Sequence, residues 1–160
     1  MCVPTSFAMV LDVPVAHLLT EIGHDGSEIL YPDLPEPAGR RGFHVQELLE
    51  PCLWRGFAAT PIEVFPVSEH APGRRYVVPF AGFTGEDAPY RFELVIHRTR
   101  GVIEGQVGGC GHCVAYDHGL IYDPDGDPAP YGYSPYACES RSFLPFCAWR
   151  IDPIALKGRQ

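Results

Sequence analysis

The chain is short of basic charge. It carries 12 Lys and Arg against 20 Asp and Glu, a formal net charge of −8. The pairs Arg40-Arg41 and Arg74-Arg75 stand isolated and read as solvated loop charges. Binders of nucleic acid or of anionic membrane surfaces need clustered Lys and Arg, so neither partner is expected. Long apolar runs are also missing, and no stretch approaches the ~20 residues that cross a bilayer. The opening Met1-Cys2-Val3-Pro4-Thr5 has no basic segment and no apolar segment of the kind that marks a secretion signal. The expected compartment is the cytoplasm. No internal repeat and no low-complexity linker interrupts the chain. A single domain over residues 1–160, with one core, is the expectation.

What is present points to a packed protein with many turns. Apolar residues make up 46% of the chain and aromatics 12%, while Gly and Pro number 17 each. Six cysteines could suggest disulfides, but without a leader reduced thiols are expected. Cys52, Cys138 and Cys147 have apolar or aromatic neighbours and read as buried, inert thiols.

The first third of the chain has helical spacing. Phe7, Val10 and Leu11 share one face of a helix over 4–11, with Pro4 in its first turn. A second helix over 14–22 carries Val15, Leu18, Leu19 and Ile22 and ends at Gly23. Residues 24–42 read as a long loop. A third helix over 44–50 buries Val45, Leu48 and Leu49, and Pro51 is expected to stop or kink it. Strands are predicted at 60–67, 75–80, 102–107, 112–116, 120–123 and 146–151. Residues 88–99 fit a strand or a helix, with the spacing of Phe92, Val95 and Ile96 favouring helix. Asp117-His118-Gly119 reads as a tight turn between antiparallel strands. Helices first and strands second imply an α+β fold, with N-terminal helices packed on an antiparallel sheet.

Three residues carry the chemistry. Cys2 stands at the start of a helix, where unpaired N–H groups and the positive dipole end favour thiolate. His112 lies on a predicted strand, and Asp123 ends the next one. A thiol, an imidazole and a carboxylate form a nucleophile, base and orienter set.

The run Cys2-Val3-Pro4-Thr5-Ser6-Phe7-Ala8-Met9 resembles the Cys-Gly-Pro-Thr-Ser-x-Ala-Met block of papain-like-fold cysteine peptidases, especially bacterial C39-like peptidases. Gly111-His112-Cys113-Val114-Ala115-Tyr116-Asp117, followed by Tyr122-Asp123-Pro124, is similar to their Gly-His strand and following Asp-Pro. The resemblance implies a papain-like fold and a cysteine peptidase or isopeptidase acting through an acyl-thioester. Cys2 would be the nucleophile, His112 the general base and Asp123 its orienter, with the Cys2 backbone N–H as one oxyanion donor. A peptide or protein is the implied substrate, no cofactor or metal is implied, and the loops 24–42 and 124–142 would border the groove. Nothing in the residues sets the oligomeric state.

The chain departs from the family in two places. Val3 replaces Gly, and the family's upstream Gln has no counterpart ahead of Cys2. Losing one oxyanion donor costs about 10²–10³ in rate. Gln106 and Gln46 are candidate substitutes. Two alternatives follow: an inactive protein-binding module on the same fold, or an N-terminal-nucleophile amidohydrolase in which Cys2, after loss of Met1, uses its own α-amine.

Rival readings rest on weaker context. Cys110-Gly111-His112-Cys113 is identical to a disulfide-isomerase motif, but strand residues follow it where a helix is needed. Cys110, His112, Cys113, His118, Cys138 and Cys147 could ligate zinc, yet lack a clean second pair. Asp123-Pro124-Asp125-Gly126-Asp127 departs from a calcium loop and reads as an acidic turn. Tyr131, Tyr133 and Tyr136 read as loop packing.

Overall fold

A computed structural model describes residues 1–64, 88–126 and 128–155. The predicted strand at 75–80, and residues 65–67 of the one before it, lie outside the described residues.

The chain opens with α1 (Cys2–Leu11) and α2 (Val15–Ile22). Helix α1 begins two residues earlier than its apolar spacing suggests, so Cys2 is its first residue. It stops at Asp12, whose left-handed backbone (φ 54°) turns its N–H onto Ala8 O. Residues 24–42 form no regular element beyond an isolated bridge between Ile29 and Arg40. A 3₁₀ turn (Val45–Leu48) leads directly into α3 (Leu49–Trp54). Here the expectation for Pro51 fails. The helix runs through it, because Pro51 falls in the first turn of α3, where a missing N–H forfeits no helical hydrogen bond.

Strand β1 (Phe57–Val64) and helix α4 (Ala88–Arg98) follow. The ambiguous segment is therefore helical. The rest is β2 (Arg100–Val107), β3 (Cys110–Asp117), β4 (Leu120–Tyr122), β5 (Tyr131–Gly132), α5 (Pro135–Ser140) and β6 (Phe143–Pro153). The sheet order is β1-β6-β2-β3-β4-β5, with every pairing antiparallel. Two tight hairpins set the register. Gly108-Gly109 (φ 58° and 87°) and His118-Gly119 (φ 46° and 87°) supply the two positive φ values that such turns need. Pro145 is accommodated within β6 beside a register shift between Glu104 and Gly105 of β2.

The segment 124–142, expected to be loop, instead holds β5 and α5. Ser134 caps α5 by accepting the Ala137 N–H at 3.0 Å.

Both faces of the sheet are covered. On one, Val102, Cys113, Ala115, Trp149 and Ile151 pack under Phe7, Leu11, Leu18, Val45 and Leu48. On the other, Ile103, Val114, Tyr116, Ile121 and Ala148 pack with Ile96, Tyr133, Cys138 and Phe143. Strand alternation assigns the faces: Cys113 and Ala115 point one way, Val114 and Tyr116 the other. The arrangement is α+β with an open antiparallel sheet. No single described helix is long and apolar enough to cross a membrane.

Candidate active site

The site forms where β4 ends too soon. Its last residue, Tyr122, pairs with Ala115. Beyond that point β3 has no strand on its β4 side among the described residues, and the backbone of Cys113 faces other partners. Helix α1 supplies them. Buried Ser6 donates its hydroxyl to Cys113 O at 2.9 Å. One turn earlier stands Cys2, whose thiol the Cys113 backbone N–H helps to lower. Residues four apart share a helix face, so a single face of α1 meets both backbone groups of Cys113.

That docking puts Cys2 beside His112. The ring belongs to the far face of the sheet, edge-on to Phe143 with centroids 5.8 Å apart. Cys2 packs with the near core. The two meet around the open edge, where the thiol and a ring nitrogen lie within 4.8 Å of each other. Asp123, just past β4, holds His112 Nε2 at 2.8 Å from Oδ1. This leaves Nδ1 for the thiol. The three residues read from the sequence, 121 positions apart at their widest, are thus gathered in one place.

The electrostatics draw the thiol and the imidazole toward each other. Burial pushes the Cys2 thiol up, but the His112 hydrogen bond, the Cys113 N–H and the charge on His112 together bring it below the ordinary cysteine value. His112 moves the opposite way. Its bond to Cys2 raises it, burial opposes, and the Asp123 carboxylate raises it further. Helix α1 has no side-chain cap at its N-terminus, so its dipole end is turned toward the thiolate without competition from a capping side chain.

Asp125 is a member that sequence reasoning missed. Asp123 Oδ1 also accepts the Asp125 N–H at 3.0 Å, an Asx-type turn that folds the chain back. Asp125 Oδ2 then lies 3.9 Å from His112 Nδ1. The signal was the Asp-Pro-Asp-Gly run, read only as an acidic turn.

The oxyanion candidates are not joined to the thiol. Gln46 is exposed on the 3₁₀ turn. Gln106 lies opposite Gly111 on β2 and lines a cavity of about 560 Å³ with Tyr133, Phe143, Leu144 and Pro145. Among the described residues, neither amide hydrogen-bonds Cys2 or His112.

The rival constellations disperse. Cys110 is exposed and Cys113 buried on an extended strand, where positions three apart face opposite ways. Cys138 belongs to the far core and Cys147 packs against the near one. All six cysteines are free. Tyr133 is buried in the far core and also lines the cavity. No family model matches the chain, and no curated protein or solved structure matches it either.

Proposed function

We propose that the chain is a thiol hydrolase on a papain-like fold, cleaving a peptide or isopeptide bond in a peptide or protein. The observation that carries this reading is the thiol–imidazole–carboxylate line Cys2–His112–Asp123, with the thiol lowered and the imidazole raised. A thiol and an imidazole shifted toward each other in this way hold the reactive thiolate and its proton donor together.

In this reading the Cys2 thiolate attacks the scissile carbonyl. The oxyanion develops beside the Cys2 backbone N–H at the start of α1. His112 gives its Nδ1 proton to the departing amine, leaving an acyl-thioester on Cys2. His112 then takes a proton from water as it attacks the thioester, and the carboxylic acid leaves. Asp123 holds the ring by Nε2 and stabilises the imidazolium. The cavity's apolar wall of Phe143, Leu144 and Pro145 suits a substrate side chain, and Phe143 is also the ring that His112 meets edge-on.

The test is iodoacetamide alkylation with peptide mapping, in wild type and in His112→Ala. A selectively reactive Cys2 that becomes ordinary in His112→Ala supports the hydrolase. A non-catalytic binding module predicts no unusually reactive cysteine in either protein.

A further inference from the structure

The thiol, the imidazole and the overlooked carboxylate also form a metal-ligand set. The ligand atoms of Cys2, His112 and Asp125 all lie within 4.8 Å of one another. We propose that Cys2 Sγ, His112 Nδ1 and Asp125 Oδ2 bind a zinc ion, and that zinc in this position silences the nucleophile. The silencing rests on the hydrolase reading above, whereas the binding does not.

The donor types select the metal. Thiolate, imidazole and carboxylate together suit zinc, while calcium and magnesium take oxygen ligands. Zinc–ligand bonds of about 2.0–2.3 Å in a tetrahedron place ligand atoms roughly 3.3–3.6 Å apart. The 3.9 Å between Nδ1 and Asp125 Oδ2 closes with a small shift of Asp125, whose side chain is 63% exposed and free to move. Three protein ligands leave a fourth position for water.

The surrounding bonds fit the same role. A zinc-binding histidine commonly donates its other ring N–H to a carboxylate, which fixes the tautomer and aims the lone pair. His112 Nε2 is held by Asp123 in this way. The same Asp123 oxygen accepts the Asp125 backbone N–H, so one carboxylate orients two ligands. On binding, the Nδ1 proton leaves to solvent. Sulfur and nitrogen each give a lone pair to zinc, and no electron is transferred. The thiolate is then no longer free to attack, and Nδ1 no longer carries a proton for the leaving group.

Cobalt and zinc titrations test the site without a substrate. One equivalent of cobalt added to the wild-type protein is expected to give a thiolate-to-cobalt charge-transfer band that Cys2→Ser abolishes. Stoichiometric zinc is expected to protect Cys2 from iodoacetamide, with EDTA restoring alkylation and magnesium giving no protection. Asp125→Asn should weaken zinc binding at least about tenfold, and Asp123→Asn about 10–100-fold. A cobalt complex without the thiolate band, or a wild-type zinc affinity retained by Asp125→Asn, would overturn the site. The two proposals fail separately. Slow alkylation of the metal-free wild type removes the hydrolase, while loss of the cobalt band removes the metal site.

Discussion

Cys2 and Cys113 lie against the same stretch of β3, yet their thiols are driven in opposite directions. Cys113 points into the near core, and burial pushes it well above the ordinary value, with the negative charges of Cys2 and Glu104 adding to the effect. Cys2 is also penalised by burial, but the open edge of β3 gives it an imidazole and a backbone N–H, and it ends lowered. The other buried thiols behave like Cys113. Burial raises Cys52 and Cys138 to about 11 and Cys147 to about 12. The difference teaches that burial alone raises a thiol here, on strand or helix alike, and that the open edge of β3 is what offsets it at Cys2. On the proposed reading, that edge is what makes Cys2 the nucleophile.

The comparison breaks most severely at His112. Its replacement by alanine should make Cys2 alkylate like an ordinary thiol and lower any Cys2-dependent turnover by about 10²–10⁴, the usual span of a general acid–base group. Alkylation kinetics and a peptide-cleavage assay read both effects.

Asp123→Asn should come next, with the fold preserved and a smaller loss of rate than in His112→Ala. The Asp123 charge raises His112. Its removal should lower the imidazole. In the pH–rate profile the acid limb reports formation of the Cys2 thiolate and the alkaline limb reports loss of the His112 proton. The alkaline limb should therefore move to lower pH in Asp123→Asn, while an unmoved limb would remove Asp123 from the site.

Ser6→Ala sharpens the edge itself. It strands the buried Cys113 carbonyl, which costs about 1–3 kcal/mol. Thermal or urea unfolding measures that loss. Because Ser6 and Cys2 both face the backbone of Cys113, alkylation of Cys2 should also slow in the folded variant, while the already raised Cys113 should not change.

The smallest effect is expected from a short uncleaved extension ahead of Cys2. Among the influences on this thiol, the terminal ammonium is the weakest. With His112 as base, alkylation should stay within about twofold of wild type, well inside the tenfold that one pKa unit represents. Collapse of reactivity in the extended protein would favour the α-amine mechanism.

Much of this edge could be read from residue order. The apolar spacing of α1, the Asp117-His118-Gly119 turn after β3, and the Gly-His and Asp-Pro runs are local signals; the turn falls at its expected place, and α1 starts only two residues early. What escaped is long-range or short. Ser6 stands in the Cys2–Met9 run, but its partner is 107 positions away and nothing local points to it. Strand β5 and helix α5 are too brief to show a period among glycines and prolines. Asp125 was visible only as part of an acidic turn, and it is the Asp123 side chain's bond to its N–H that brings it to the ring. Pro51 misled because a proline's effect depends on its place in the turn, and apolar spacing marked that place poorly.

The central claim is that one of six cysteines is activated by its place at the open edge. Iodoacetamide labelling of the native, metal-free protein at about pH 6.5, roughly two units below the ordinary thiol value, tests it directly. Peptide mapping over time gives a rate for each cysteine. The account predicts that Cys2 is labelled faster than exposed Cys110, with Cys52, Cys113, Cys138 and Cys147 slower still, because the His112 imidazole and the Cys113 N–H lower the Cys2 thiol while burial raises the other four. Labelling of Cys2 at or below the rate of Cys110 would contradict it.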